Sequence, residues 1–354
     1  MLFKKIILFI TIIIMTFTLM YNYKNNAYAS QVSNSNSEKL VNVAFLFYSF
    51  NDLYVLQLKR GFENIEKENP TKVHFTFYDG KNNIGVQNET LDSLSKAKAE
   101  VDLIIANLAD VSENAVNMAL DITQPQKIPM IFLGISPEVV SNISRDCKRV
   151  AFLSGSSARA GTAEGNILVN LWNTNKKELD KNGDNVLQYI ILQGKKDNPT
   201  AISRTKYSIF ALNNAGIKTE QLTSANDDWL KDLAKDSMDS ILLQYDNKIE
   251  AVISNNDAMA VGAIEALQKY GYNKGDKSKN IAVVGIEGLP EAKELIDNGF
   301  MIGTIVLDTD ILTKAIYDIG TNLIKGLNPI ENTNYSLVNK LIQVPYNYEV
   351  YIKK

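Results

Sequence analysis

The sequence predicts an α/β protein built from two doubly wound parallel-sheet lobes. Three observations carry that prediction. Short apolar runs alternate with amphipathic stretches from Val41 onward, the pattern of parallel strands covered by helices on both faces. The alternation ends near residue 154 and begins again after Gly155. With 354 residues, 45% hydrophobic and 22% charged, the chain has enough apolar surface for two cores and too much for a disordered polymer.

The elements follow in order. Lys4 and Lys5 precede an apolar run of about fifteen residues, then a polar stretch and Ala27-Tyr28-Ala29, the outline of a signal peptide over residues 1–29. The run is shorter than the ~20 residues that cross a bilayer comfortably, and an uncleaved anchor is the alternative. No Cys follows it, which excludes lipid anchoring through a thiol. Residues 30–40 are rich in Ser, Asn and Glu and read as a spacer. The chain is therefore expected to be exported, periplasmic or extracellular and membrane-associated. Strands are expected over 41–48, 73–78, 101–106 and 129–134. Between them Leu53, Leu56, Phe62 and Ile65, and then Val111, Ala115, Met118 and Ala119, fall at helical spacing. A second series of strands is expected over 186–192, 217–222, 251–254, 281–286 and 303–307. Two such halves place a cleft at the carboxyl ends of their strands.

Composition removes several functions. Thirty-seven basic against forty acidic residues, a net charge of −3, leave no electrostatic footprint for nucleic acid. His74 and Cys147 are each the single residue of their type, which excludes His and Cys metal clusters and any intrachain disulfide. Polar residues instead follow the strands: Asn51, Asp52 and Tyr54; Asn255, Asn256 and Asp257; and Glu287. Neutral and acidic hydrogen-bonding groups beside aromatic rings suit a polyhydroxylated ligand, although Asn and Asp there also cap helices. The stretch from Asp180 to Gln188 has side-chain oxygens at loop positions 1, 3, 5 and 9 (Asp180, Asn182, Asp184, Gln188) and a backbone carbonyl at position 7 (Val186). That spacing converges hard oxygens on Ca2+, or else makes a polar surface turn. Position 12 is Ile191 and not Glu, which excludes an EF-hand and requires a carboxylate from elsewhere.

Three segments, Gly216 to Leu222, Ile249 to Ala260 and Val284 to Ala292, resemble the galactose/glucose-binding protein family of bacterial sugar uptake. The resemblance spans nearly all of 41–350 and implies a type I periplasmic-binding-protein fold, two lobes on a multi-strand hinge closing around one sugar. It implies an N-terminal lobe of 41–154 plus 308–338 and a C-terminal lobe of 155–307 plus 339–354. It supplies Glu250 as the remote carboxylate of a calcium site with Asp180, Asn182, Asp184, Val186 and Gln188. It also implies sugar contacts at Asp52, Tyr54, Asn198, Arg204, Trp229, Asn256 and Glu287. The pocket departs from the family: Gly134 and Ile135 replace an Asn-Lys pair, Asn198 and Thr200 a His and an Asp, Glu287 a shorter Asp, and Leu307 an Asn. Each unpaired buried sugar hydroxyl costs about 1–3 kcal/mol. A different, deoxygenated or substituted sugar is therefore expected, with Ile135 and Leu307 against its less polar edge. Asp52 and Glu287 are an acid pair of the kind glycosidases use, but lobes that bury a whole monosaccharide leave no path for a leaving group, and no enzyme activity is expected. The implied partners are a monosaccharide and an ABC transporter permease, with a sensor histidine kinase as the alternative, acting on a monomer.

Overall fold

The computed structural model describes Met20, residues 39–143 and residues 149–353. The expected signal peptide or anchor, nearly all of the spacer, and Cys147 lie outside the described residues. The described residues from 41 to 353 form one compact unit.

The first lobe contains β1 (Val41–Phe47), α1 (Leu53–Glu68), β2 (Val73–Asp79), α2 (Ile84–Lys96), β3 (Leu103–Ala106), α3 (Glu113–Thr123), β4 (Met130–Leu133), α4 (Pro137–Asn142) and β5 (Val150–Ser154). The second contains α5 (Ser157–Asn175), β6 (Val186–Gln193), α6 (Pro199–Asn214), β7 (Lys218–Asn226), α7 (Lys231–Tyr245), β8 (Ala251–Ser254), α8 (Asp257–Lys269), β9 (Ala282–Glu287), α9 (Pro290–Asp297) and β10 (Gly303–Val306). The chain then returns through α10 (Thr309–Ile324), β11 (Ser336–Val338) and β12 (Leu341–Gln343) before ending in β13 (Glu349–Ile352).

Among the described residues the strands form two sheets, a seven-stranded one in the order β11-β12-β5-β4-β3-β1-β2 and a six-stranded one in the order β13-β10-β9-β8-β6-β7. Both are parallel except where β11 and β13 pair antiparallel. Each is covered on both faces, which is why the strands read as continuous apolar runs. Val43, Phe45 and Phe47 pack on one side of β1 with Phe62 of α1, while Ala44 and Leu46 enter the core on the other side. Phe62 is fully buried, and its truncation to Ala is of the kind that costs about 3–5 kcal/mol.

The strands expected from sequence are all present within a few residues, with β5, β11, β12 and β13 as additions. Of these, β5 has the nearest to a legible sequence signal. Its apolar core Val150 to Leu153 is short, and its neighbours in the sheet, β4 and β12, lie on opposite sides of it in the chain. The lobes are joined by three crossings, after β5, after β10 and after β12. The last comes later than residue 339, because Leu341 to Gln343 pair in parallel with Phe152 to Ser154 of the first sheet. Among the described residues no helix is long and apolar enough to cross a membrane.

Candidate functional site

Helix capping brings the first polar residues to the cleft. Asp52 is the N-cap of α1, its Oδ1 accepting from Tyr54 N at 2.7 Å and Val55 N at 3.2 Å, while its Oδ2 accepts from the Tyr48 hydroxyl. Asn198 caps α6 in the opposite lobe, accepting from Thr200 N at 2.9 Å and Ala201 N at 3.2 Å. One turn into α6, Arg204 Nη1 donates to the Asn255 carbonyl at 2.6 Å and to Glu287 Oε1 at 3.4 Å. Its guanidinium lies 5.5 Å from the Trp229 ring centroid, within cation–π range.

These groups line one cavity of about 200 Å3 between the lobes. Asp52, Tyr54, Asn198, Arg204, Trp229 and Glu287 all contribute, as do Gly134, Thr200 and Leu307. Asn256 does not line it, and neither does Ile135, whose expected place against the ligand is corrected. Asn256 is fully buried, accepting from Met259 N at 3.0 Å to cap α8 and donating to the Trp229 carbonyl at 3.1 Å. It holds Trp229 from behind. Ile135 is fully buried in the core between the first sheet and α3 and α4. Gly134, at φ +75°, turns the chain so that the following side chain enters that core.

Sequence reasoning missed much of the wall. Tyr48, Asn107 and Lys195 lie at strand ends, where the rule that located Asp52 could have found them. Ser154 to Ser157, Val344, Tyr346 and Tyr348 line the cavity from two of the crossings, and no local pattern marks them. The Tyr54 and Tyr346 hydroxyls lie 3.4 Å apart, and the Tyr348 hydroxyl accepts from Ser156 N. Leu133, Leu153, Leu307, Leu312 and Val344 add an apolar region.

The site holds conformations that ordinary side chains avoid. Asp228, Trp229 and Glu287 have φ of 48°, 70° and 123°. Such strain persists where the surroundings over-determine it, and it gathers at functional sites. Gly194 shows the constraint on Trp229: a Cβ there would come within 2.3 Å of the indole. Burial, reinforced by the charge of Asp52, pushes the Glu287 carboxyl well above the usual range, and burial raises Asp52 as well. Behind them, burial takes Asp257 to about 6 and Glu164 to about 8. Arg204 Nε and Glu287 Oε2 are buried without a hydrogen-bond partner.

A two-lobed α/β chain with a polar, aromatic cavity at its strand ends is matched over residues 43–328 by the family model described as "Periplasmic binding protein domain". The chain belongs to that family. Its members are substrate-binding proteins and not enzymes. The D-galactose/methyl-galactoside binding periplasmic protein of Haemophilus influenzae is 30% identical over 308 residues, 86% of this chain and 88% of that one. The ribose import binding protein of Salmonella typhimurium is 24% identical over 287 residues, 80% and 85% of the two chains. Among solved structures, the periplasmic binding component of the arabinose ABC transporter of Shewanella matches with TM-score 0.70 at 19% identity, covering 88% of this chain and 91% of that chain. A periplasmic solute-binding protein of Actinobacillus succinogenes, solved with D-allose, also gives TM-score 0.70 at 18% identity, over 88% and 98%. These likenesses establish the type I fold.

The binding-protein fold carries the oxygen-rich loop at the far end of β6 from the cavity. Asn182 Nδ2 lies 3.0 Å from Asp184 Oδ2 and 3.3 Å from Gln188 Oε1, and Gln188 Nε2 is 2.9 Å from Asp184 Oδ2. Asp180 accepts from Asn185 N and pairs with Lys176 at 3.4 Å. Glu250 reaches the loop from the residue before β8, its two oxygens accepting from Lys181 N at 2.7 Å and Gln188 N at 3.0 Å. Val186 opens β6 at the end of the loop. Among the described residues no three or more His, Cys, Asp or Glu gather as metal ligands, so an ion here would depend on amide and carbonyl oxygens as well.

Proposed function

We propose that the chain is an extracytoplasmic receptor that closes its two lobes on one monosaccharide and delivers it to an ABC transporter permease. The observation that carries this reading is the interlobe cavity, in which Asp52 and Tyr54 of the first lobe face Arg204, Trp229 and Glu287 of the second. Aromatic faces suit the C–H surface of a sugar ring, and the unpartnered Arg204 Nε and Glu287 Oε2 suit its hydroxyls. A ligand that touches both lobes favours the closed state by the difference in its affinity for the two forms. The relative that binds D-galactose and methyl-galactosides supports a hexose-sized ligand. Leu307 and the open space at Gly134 argue for a hexose modified on that edge.

The loop at Asp180 to Gln188, with Glu250, fits Ca2+. Its amide side chains already meet the Asp184 carboxylate, and rotating the amides of Asn182 and Gln188 turns oxygens toward the same point. The ion would tie β6 to the residue before β8 and take no part in ligand contact. The proposed export to the periplasm rests on the signal-peptide pattern and on the periplasmic relatives.

Intrinsic fluorescence tests the receptor reading. Of the two tryptophans, Trp229 lines the cavity and Trp172 lies on α5 beneath Lys176. A bound sugar should change the emission saturably, and the change should vanish in Trp229→Phe but survive in Trp172→Phe. No change with any hexose or pentose would count against it.

A further inference from the structure

We propose that the ligand carries a primary ammonium group, as in an aminohexose, and that Glu287 and Asp52 receive it from opposite lobes. This narrows the ligand class of the proposed monosaccharide site and rests on that reading.

Four buried carboxylates, Asp52, Glu164, Asp257 and Glu287, lie within electrostatic reach of a single guanidinium, Arg204. Lys195 also lines the cavity, but its ammonium donates to the Ala109 carbonyl at 2.7 Å and to Asn82 Oδ1 at 3.2 Å on the rim of the first lobe. Thr200, near the start of α6, brings no charge.

Three of the four acids are provided for. Asp257 accepts from the Thr304 hydroxyl at 2.6 Å and from Leu289 N at 2.8 Å. Asp52 accepts from two backbone N–H groups and the Tyr48 hydroxyl. Glu164 is bonded to the Ser208 hydroxyl and, pushed up to about 8 by burial, is mostly neutral at pH 7.

Glu287 is the exception. It is 4% exposed, its Oε1 has only the long 3.4 Å contact to Arg204, and its Oε2 has no partner. The groups facing it are Asp52 from the start of α1, Asp257 from α8, Arg204 from α6, and the Tyr48 and Tyr54 hydroxyls. Burial and the charge of Asp52 hold the proton on Glu287, because Arg204 alone does not offset a second carboxylate there. A sugar hydroxyl would satisfy the hydrogen bonding of Oε2 and leave Glu287 protonated. An ammonium supplies the donors and offsets the charge, and hydrogen bonds between ions are the stronger kind.

Calorimetric titration of the protein at pH 7 with D-galactosamine, D-glucosamine, N-acetyl-D-galactosamine, D-galactose and D-glucose is the test. At least one free amine should bind about tenfold or more tightly than its parent hexose, and acetylation, which removes the charge, should abolish the gain. Glu287→Gln should erase the preference for the amine. Should Glu287→Gln fail to fold, Asp52→Asn, which keeps a capping oxygen, should at least narrow it. A parent hexose that binds as tightly as its amine overturns the ammonium and leaves the sugar receptor standing. An amine preference untouched in a folded Glu287→Gln overturns the assignment to Glu287. Failure of all five ligands to bind overturns the ammonium assignment, and only failure of the other hexoses and pentoses as well overturns the sugar receptor.

Discussion

At the scale of single residues, Gly194 and Trp229 tie backbone to specificity. The indole occupies the space a side chain at 194 would need, so Gly194→Ala must displace the ring. We expect affinity for the bound sugar to fall about tenfold or more while far-UV circular dichroism stays unchanged; an unaltered dissociation constant would mean the ring does not meet the ligand. Trp229→Ala should cost roughly 2 kcal/mol of binding or more, as buried aromatic anchors do, measured by calorimetry. Asp52, Tyr54 and Glu287 were legible in the sequence because strand ends place their neighbours in the cleft, and Trp229 through the family resemblance alone. Asn256 obeyed the same rule, yet its side chain is taken up by Met259 N and the Trp229 carbonyl. Ile135 was misplaced because the left-handed turn at Gly134 reverses the expected direction, and a backbone angle is invisible to a reading of side-chain types.

At the scale of elements, recurring strand–cap–helix junctions explain both the fold and the position of the site. Asp52, Asn83, Ser112, Ser136, Ser156, Asn198, Asn256 and Asp308 each cap the helix that follows with a side-chain oxygen. Helix α5 adds a pH dependence. Burial moves Glu164 from 4.5 to about 8, so the folded chain keeps a proton that the unfolded chain has lost. The folded state therefore binds more protons between those values, and stability falls as pH rises from about 4.5 to about 8. Asp257, raised from 3.8 to about 6, has the same sign in a lower window. Thermal melts should show this decline, and Glu164→Gln should flatten its part between about 6 and 8. The loop between α5 and β6 gives a separate prediction. A chelator should lower the melting temperature, since an ion at one hundred times its dissociation constant contributes about 2.7 kcal/mol. Asp180→Asn should abolish the response to calcium and leave sugar contacts intact.

At the scale of the whole molecule, the three crossings make the floor of the cavity, and the lobes meet above it. The alternation of apolar and amphipathic segments revealed two lobes, because the central strands bury both faces. It could not reveal which late segments return to which sheet: β12 joins the first sheet through only three residue pairs, and Tyr346 and Tyr348 follow in irregular chain. Lys195 spans the cleft from the second lobe to Ala109 and Asn82 of the first. Removing that bridge in Lys195→Met should shift the sugar-free protein toward an open form, seen as a larger radius of gyration in solution scattering, and should speed ligand release. An identical scattering profile would show that the bridge does not bias closure.

Everything proposed here turns on the two lobes holding a single monosaccharide. The most direct measurement is calorimetric titration of a panel of neutral and amino monosaccharides into calcium-loaded protein. Saturable binding of at least one of them is expected, one molecule per chain, lost in Trp229→Ala. A folded, calcium-stabilised protein that takes up no member of the panel would contradict it.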